Sequence, residues 1–315
     1  MDMVSSILQG HIEIARFDHW FKNAFVIPGV LVALLLAPDY QGVELVWRVV
    51  LGLVAIGFVA SSNYVINEVL DAPYDRQHPV KCHRPVLSGR VHIPMAYVQW
   101  LAMMAAGIGL GWTLSTPFMI VLSMLWGMGR IYNIRPVRSK DLPYIDVLTE
   151  AVNNPLRMLA GWFMASTALI PPASLLVSYW MIGCYFMAMK RFAEYRDLKE
   201  PDLAAAYRKS FAYYTEQRLL VAVMFYGSAA MLFFGSFIVR YRLELIVSFP
   251  FIALVMAVYL ALAFKENSAV QRPEGLYREP LIMAPVLACS LIMVLLVIVD
   301  IPFLHRLFAP TVSIQ

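Results

Sequence analysis

The feature that most constrains this chain is a succession of apolar runs that are each long enough to cross a lipid bilayer. A transmembrane helix needs roughly 17–25 predominantly apolar residues. Nine such runs follow one another in the 315 residues, and Pro28 and Gly29 interrupt the first. Their approximate bounds are 21–38, 46–66, 94–114, 117–134, 144–166, 173–189, 219–239, 245–264 and 281–304. We therefore predict an all-α polytopic membrane bundle of about nine helices, with residues 1–315 forming one domain.

The composition excludes an ordinary soluble domain. Hydrophobic residues make up 60% of the chain and charged residues 15%, whereas a soluble chain carries about 25% charged residues. In such a protein a net charge of +4 reflects membrane topology, and we expect no nucleic-acid partner. The three cysteines are scattered and form neither a disulfide framework nor a CxxC metal site. The first ten residues lack the features of a removable signal peptide.

The basic residues indicate the orientation of the chain. With the N-terminus inside, alternate loops place 20 lysines and arginines on the cytoplasmic side and four outside. Arg157 lies within a run. This asymmetry predicts a multi-pass protein of the cell (inner) membrane with a cytoplasmic N-terminus. The long segments are on that side, at 67–93, 130–143, 190–218 and 265–280, so we expect the active site to face the cytoplasm.

A polar segment at the end of the second run is the most specific feature. Asn63, Asn67, Asp71 and Asp75 recur every four residues, which places them on one face of a helix. Pro73 is expected to end or bend that helix just before Asp75. Mg²⁺ commonly bridges one or two carboxylates to substrate phosphates. The segment therefore predicts a Mg²⁺ and diphosphate site, the alternative being a solvated helix end.

Basic residues near this segment and in the loop after the fourth run are candidate phosphate ligands. They are Arg76, Lys81, Arg84, Arg135 and Arg138, with His78 and His83 nearby. The alternative for any one of them is that it only marks the cytoplasmic side. Asn63 of the polar segment is a further candidate phosphate ligand.

A second cluster lies at the end of the sixth run. Lys190 and Glu194 are four residues apart, with Arg191 between them. Tyr207, Arg208, Lys209 and Tyr214 follow on a segment expected to be a cytoplasmic helix. We expect Glu194 to be catalytic, and Lys190, Arg191 and Tyr214 to bind phosphate. A basic collar beside the membrane is the alternative.

A third group of polar residues lies in the fifth run. Asp146, Glu150, Asn154 and Arg157 follow helical spacing and are predicted to form one stripe. Ionisable residues within a span usually face the bundle interior or a wet cavity, so these four are candidate cavity residues. Glu150 can pair with Arg157 or with a neighbouring helix, and a purely structural polar network is the alternative.

These motifs resemble the UbiA superfamily of intramembrane prenyltransferases over nearly the whole chain. The first motif of that family, NDxxDxxxD, is similar to Asn67-Glu68-x-x-Asp71-x-x-x-Asp75. Its YSxxPxRxK-like loop is similar to Tyr132-Asn133-x-Arg135-Pro136-x-Arg138-x-Lys140, and later elements to Asp146 and to Arg157-x-x-Ala160-Gly161. The resemblance implies a Mg²⁺-dependent transferase with a diphosphate leaving group. Asn67, Asp71 and Asp75 would be catalytic, with both aspartates holding the metal.

The second motif departs from the usual family pattern. Most members carry DxxxD there, and this chain has Lys190-Arg191-Phe-Ala-Glu194. This resembles the decaprenylphosphoryl-phosphoribose synthase branch, as do Asp75-Arg76-x-His78-Pro79-x-Lys81-x-x-Arg84-Pro85 and Arg208-Lys209-Ser210 with Tyr214-Thr215. That branch moves phosphoribose from phosphoribosyl diphosphate to a polyprenyl phosphate. Two cations suit the extra phosphates of these substrates.

Three functional interpretations follow. The first is transfer of 5-phosphoribose from phosphoribosyl diphosphate to a polyprenyl phosphate, with Mg²⁺. The second is transfer of an isoprenoid chain from a prenyl diphosphate to an aromatic or other small acceptor. A secondary transporter is the third, and the lack of paired broken helices in two halves disfavours it. The expected partners are these substrates and membrane lipids, and assembly into a homo-oligomer is left open.

Overall fold

The computed structural model describes residues 3–76, 81–167, 169–198, 208–271 and 273–309. They form two compact units. The described residues up to Pro171, together with 208–213, make up unit 1, and 172–198 with the described residues from Tyr214 onward make up unit 2. Both units are helical, which confirms the predicted all-α class.

Unit 1 contains seven α-helices in its described residues. They are α1 (Met3–Ala15), α2 (Ile27–Leu36), α3 (Gly42–Asp75), α4 (Ile93–Leu114), α5 (Thr116–Asn133), α6 (Ile145–Ala151) and α7 (Asn153–Ala165). Short 3-10 helices lie at Phe17–Val26, Lys81–His83, Ser139–Asp141 and Lys209–Ala212. The predicted first run, 21–38, is thus part 3-10 helix and part α2, with Pro28 in the first turn of α2, where its missing N–H costs no hydrogen bond.

Helix α3 carries the first polar motif. Its 34 residues give a length of about 50 Å at about 1.5 Å per residue, more than the roughly 30 Å of hydrocarbon in a bilayer. Pro73 was expected to end or bend the helix before Asp75, and it does not end it, because the helix continues through Pro73 to Asp75. Pro73 removes only the hydrogen bond to the Val69 carbonyl, two residues before the helix ends.

The predicted fifth run is two helices rather than one. A turn at Val152 separates α6 from α7. Pro155 has no N–H to donate to the carbonyl of Ala151, four residues earlier, and this interrupts the helix at that point. The four polar residues of this run are therefore shared between two helices, with Asp146 and Glu150 on α6 and Asn154 and Arg157 on α7.

Close packing of small residues joins α2 to α7. A Cβ on Gly29 would lie 1.9 Å from the carbonyl oxygen of Met158, and one on Gly161 would lie 2.0 Å from that of Val26. The two backbones can approach this closely only because neither residue has a side chain.

Buried Arg48 ties three helices of unit 1 together. It lies on α3 and donates from Nε to the carbonyl of Met164 at 3.0 Å and from a terminal nitrogen to the carbonyl of Leu114 at 3.1 Å. Its guanidinium also lies 3.8 Å from the centre of the Tyr40 ring. Both carbonyls belong to the last turns of their helices, where the helix dipole favours a cation. A charge within the apolar core is thus compensated by two helix ends.

Unit 2 contains five α-helices in its described residues. They are α8 (Ala173–Leu198), α9 (Glu216–Tyr241), α10 (Phe249–Ala263), α11 (Pro280–Ile298) and α12 (Pro302–Leu307), with 3-10 helices at Leu243–Ser248, Ala269–Gln271 and Pro273–Arg278. Polar side chains bond across the helices, from Ser178 Oγ to the carbonyl of Ala230 at 3.0 Å and from Tyr185 OH to that of Met256 at 2.7 Å. The ninth predicted run, 281–304, is broken between α11 and α12.

Six helical stretches of the described residues are long and apolar enough to cross a membrane. They are Ser5–Leu36, Gly42–Asp75, Ile93–Leu114, Glu216–Tyr241, Leu243–Ala263 and Pro280–Ile298. The other three predicted runs correspond to α5, to α6 with α7, and to α8, which are shorter or less apolar, so the count of nine is approximate. Large apolar side chains such as Trp112, Leu232 and Ile298 are more than two-thirds exposed, as expected of surfaces that face lipid.

Candidate active site

The polar face of α3 forms the centre of the candidate site. Its first member, Asn63, donates from Nδ2 to the carbonyl of Leu125 on α5 at 3.1 Å. The two helices are close here, since a Cβ on Gly129 would lie 2.2 Å from the Asn63 side chain. Asn63 therefore anchors α5, and the three later members of the motif meet cations.

Two cations from the segment after α5 bind Asp71. Lys140 Nζ forms an ion pair with Asp71 Oδ1, and an Arg138 terminal nitrogen donates to the same oxygen at 3.0 Å. The side chain of Asp71 is 20% exposed, while those of Arg138 and Lys140 are 9% and 7% exposed. The pairing thus lies at the edge of the protein interior with its carboxylate partly open to solvent.

Three side-chain oxygens converge on the Lys140 ammonium. Besides Asp71, the amide oxygens of Asn67, at 3.3 Å, and of Asn133, at 2.9 Å, accept from Nζ. Burial lowers the pKa of Lys140 to about 8, although the Asp71 carboxylate acts in the opposite direction. The arrangement is a small cage of hard oxygens around one cation position.

Asn133 accepts hydrogen bonds from both cations, Lys140 and Arg138. Its Nδ2 donates to the carbonyl of Gly129 at 2.9 Å, which orients the amide, and its own carbonyl accepts from Arg138 at 3.3 Å. Arg138 is also held by Asp141, at 3.2 Å, and lies 4.7 Å from the centre of the Tyr74 ring. The position of the Arg138 guanidinium is therefore set by several groups, while the Lys140 ammonium lies at the end of a flexible side chain.

Arg208, from a later part of the chain, contacts the segment after α5 that carries Lys140. It donates to Tyr132 OH at 2.7 Å and to the carbonyl of Lys140 at 3.4 Å, and lies 3.8 Å from Asp146. Asp146 is fully buried and also accepts from Ser210 Oγ at 3.4 Å. Arg208 thus links Asp146 to the Lys140 backbone.

Asp75 has a different cation from Asp71. Its carboxylate is 8% exposed and pairs with Arg84 at 2.5 Å. Nearby, Arg135 donates to Tyr74 OH at 3.2 Å, and Arg76 is exposed. His78 and the side chain of Lys81 lie outside the described residues.

Glu68 occupies the position where the family motif has aspartate, but it does not join Asp71 or Asp75. It is 2% exposed, and its carboxylate pairs with Arg16 at 3.3 Å and accepts from the backbone N–H of Val86 at 3.4 Å. The longer side chain thus links the end of α1 to the segment after α3. Arg16 in turn lies 5.8 Å from the centre of the Tyr64 ring.

The remaining members of the third group are half-buried. Glu150 lies on α6, and Asn154 and Arg157 lie on α7. Tyr64 interacts electrostatically with Arg157 and Glu150. Arg157 Nε is buried and donates to no partner among the described residues. These residues lie in unit 1, as the first motif does.

The second motif lies at the end of α8 in unit 2. Glu194 pairs with Arg191 at 2.8 Å and with Lys190 at 3.9 Å, each through a different oxygen. Arg191 is 4% exposed, and Tyr214 is buried. One carboxylate with two cations on its own helix is a poor set of ligands for a divalent metal.

The ligand chemistry of unit 1 fits Mg²⁺ better. Mg²⁺ takes oxygen ligands and is usually bound by one or two carboxylates together with substrate phosphates. Asn67, Asp71 and Asn133 already direct three oxygens at one cation. In the described part of the chain no group of three or more His, Cys, Asp or Glu side chains forms a metal site.

Three residues of this cluster, Lys140, Asn133 and Arg208, were not assigned a role from the sequence. Lys140 and Asn133 belong to the YSxxPxRxK-like loop, and Arg208 to the segment similar to the phosphoribose branch. The motif itself was therefore the available signal. The motif could not show the partners of Lys140 and Arg208, because their contacts join residues more than 60 positions apart in the sequence.

The sequence profile of the UbiA prenyltransferase family matches residues 25–277. This chain belongs to the UbiA prenyltransferase family. It is therefore a membrane transferase, as predicted.

The chain is similar to the decaprenyl-phosphate phosphoribosyltransferase of Mycobacterium tuberculosis, with 27% identity over 232 residues, which are 73% of this chain and 74% of that protein. It is also similar to the enzyme of the same name from Corynebacterium glutamicum, with 29% identity over 67% of this chain and 61% of that protein.

A solved structure has the same fold. The UbiA homolog from Archaeoglobus fulgidus bound to GPP and Mg²⁺ superposes with a TM-score of 0.68 at 18% identity, over 92% of this chain and 97% of that one. At this identity the likeness concerns the fold alone. It confirms the UbiA architecture and shows that this fold holds Mg²⁺ with a diphosphate in a relative.

Proposed function

We propose that this member of the UbiA family transfers 5-phosphoribose from phosphoribosyl diphosphate to a polyprenyl phosphate, with Mg²⁺. The observation that carries the proposal is the second motif, where Lys190 stands in place of the first usual carboxylate and Arg191 adds a second cation beside it. Two curated relatives named decaprenyl-phosphate phosphoribosyltransferase support it.

The charge of the two possible donors favours this assignment. Phosphoribosyl diphosphate carries a 5-phosphate besides its diphosphate, and the lipid acceptor brings a further phosphate, whereas a prenyl diphosphate carries the diphosphate alone. Charge-assisted hydrogen bonds from lysine and arginine are strong phosphate contacts. Lys190 and Arg191 would hold phosphates other than the leaving diphosphate, and Tyr214 is proposed to assist them.

In the reaction a phosphate oxygen of the lipid attacks C1 of the ribose. The bond from C1 to the diphosphate breaks, and its electron pair leaves with the diphosphate. Bound Mg²⁺ would neutralise the charge that grows on the leaving group, held by Asp71 and Asp75 with Asn67. Arg138, Lys140 and Arg84 already lie at these carboxylates and would turn their N–H groups to the diphosphate oxygens.

We infer that this site faces the cytoplasm. Of the 25 lysines and arginines, 20 fall on the predicted inner segments, and basic residues are enriched in cytoplasmic loops. Phosphoribosyl diphosphate is a charged, water-soluble donor and would reach the site from that side, while the lipid acceptor would reach it from the membrane.

The test uses the purified full-length protein with Mg²⁺ and a polyprenyl phosphate. One reaction receives phosphoribosyl diphosphate labelled in the ribose, and the other receives labelled geranyl diphosphate with a mixture of small aromatic acceptors. We expect label from the first donor in the lipid phase, lost when Mg²⁺ is removed with EDTA. Label transfer from geranyl diphosphate alone would instead assign prenyl transfer, which the donor bound to the Archaeoglobus fulgidus homolog favours.

A further inference from the structure

The strongest unexplained feature is the position of the Lys140 ammonium. The ammonium donates to side-chain oxygens of Asn67 and Asp71, two members of the polar motif on α3, and to the amide oxygen of Asn133. Amide and carboxylate oxygens of this kind are the ligands that Mg²⁺ takes in proteins. A positive group of the protein itself therefore occupies the place where Asp71 and Asn67 would hold a metal.

The local charge is already balanced without a metal. Asp71 and Asp141 carry two negative charges and contact two positive groups, since Lys140 and Arg138 pair with Asp71 and Arg138 also pairs with Asp141. Lys140 and Arg138 are largely shielded from solvent, so the repulsion between them and an approaching divalent cation is screened weakly. A metal that arrives alone would have to displace a cation from Asp71 and leave that cation without its anion.

A metal that arrives with a diphosphate meets no such penalty. The diphosphate oxygens offer new anionic partners to the displaced ammonium, and charged hydrogen bonds of this type are strong. Lys140 is suited to such a change, because its four-carbon side chain is flexible. Its backbone carbonyl stays bound to Arg208, so that only the side chain moves.

We propose that Lys140 is a displaceable cation at the metal position of Asp71, so that a divalent metal binds there strongly only together with a diphosphate. Lys140 is then a positioning residue that makes metal binding depend on the donor. Arg138 differs from it, since Asn133, Asp141 and Tyr74 all hold its guanidinium. The inference rests on the proposed function in one respect, namely that the donor is a diphosphate.

The test measures Mn²⁺ binding by equilibrium dialysis of the full-length protein in lipid nanodiscs. At equilibrium the two chambers contain the same concentration of free metal and of free metal–diphosphate complex. The excess of metal in the protein chamber therefore measures binding to the protein, although the donor chelates metal. Lys140→Met removes the charge and keeps the length. It is expected to tighten Mn²⁺ binding without donor by at least about tenfold, the lower end of what one neighbouring charge does to a carboxylate's affinity for a proton.

Several variants make this result specific. Lys140→Gln, which removes the charge but keeps a polar side chain, should tighten binding as Lys140→Met does, and covers the case in which the methionine variant fails to fold. Lys140→Arg keeps the charge and should leave metal binding weak. Lys265→Met removes the same charge from an exposed position and should change nothing. Adding Asp71→Asn to Lys140→Met should abolish the gain.

The second arm adds the donor to the parent protein. We expect phosphoribosyl diphosphate to raise Mn²⁺ binding at least about tenfold in the parent, and by much less in Lys140→Met. The inference is overturned if the parent binds Mn²⁺ as tightly without donor as Lys140→Met does, or if Lys265→Met has an equal effect. If geranyl diphosphate raises metal binding and phosphoribosyl diphosphate does not, the displaceable lysine stands and the proposed donor is wrong.

Discussion

Each of the two polar motifs pairs a carboxylate with two cations, but the cations come from different parts of the chain. In unit 1, Asp71 meets Arg138 and Lys140, which follow it by 67 and 69 positions. In unit 2, Glu194 meets Lys190 and Arg191 on its own helix, four and three positions away. Amide oxygens of Asn67 and Asn133 join the first pairing, and Asp75, which pairs with Arg84, lies on the same helix as Asp71. The first motif therefore presents oxygen atoms of the kind that Mg²⁺ takes as ligands, while the second presents two cations beside one carboxylate.

Loss of a carboxylate in unit 1 is expected to reduce turnover more than any other change considered below. Asp71→Asn and Asp75→Asn should each remove most turnover, because a lost contact to the charge that develops in the transition state costs about 2.7–4 kcal/mol of barrier. Initial rates of lipid labelling at saturating Mg²⁺ measure this, with solubility and thermal unfolding as checks on folding. Near-normal rates in both variants would place the diphosphate site elsewhere.

Loss of a cation in unit 2 should act on binding. Lys190→Ala is expected to weaken binding of the donor or of the lipid phosphate by about 1–3 kcal/mol, the range for a charged hydrogen bond. The free energy of unfolding should hardly change, because a partly exposed ion pair adds little stability. Calorimetric titration with phosphoribosyl diphosphate and Mg²⁺ gives the affinity.

The aspartate variant at the same position sharpens the contrast. Lys190→Asp recreates the usual family spacing with Glu194 and should not restore activity, since a second carboxylate repels the extra phosphates of the donor. If this variant were as active as the parent, Lys190 and Arg191 would be topology signals only, and prenyl transfer would become the better assignment.

A smaller effect is expected at Asn133, which holds both cations of unit 1. Asn133→Ser restores the residue of the family loop but shortens the side chain, so that its oxygen no longer reaches Lys140. We expect a fall in kcat/KM of roughly tenfold, about 1.4 kcal/mol. The Mg²⁺ concentration for half-maximal rate should also change, because Lys140 is held less firmly. An unchanged metal requirement would argue against a role for Asn133 in positioning Lys140.

The last prediction asks only whether both motifs are on the same side of the membrane. Single cysteines introduced at Gln77 and at Leu203 should be protected from a membrane-impermeant reagent in intact cells and become labelled when the membrane is opened. A cysteine introduced at the outer loop position Arg240 is the matched control and should react in intact cells. Labelling of Gln77 or Leu203 from outside would reverse the proposed orientation.

Much of the fold could be predicted from the sequence because apolar length and residue spacing are local properties. The runs of apolar residues gave the all-α membrane class, and four-residue spacing placed Asn63, Asn67, Asp71 and Asp75 on one helix. Local rules were less reliable at prolines. Pro73 was expected to end or bend α3 and does not end it, whereas Pro155 follows the break in a run that was expected to be continuous.

By itself the sequence determined the membrane class, the family and the residue types of the site. Tertiary structure alone decided which cation meets which carboxylate. It directed Lys140 and Arg138 to Asp71, Arg84 to Asp75, and Glu68 away from both, to Arg16. The physical reason is that an ion pair depends on distance in space. Spacing along a helix fixes that distance for Lys190 and Glu194, but residues on different segments come together only when the helices that carry them pack.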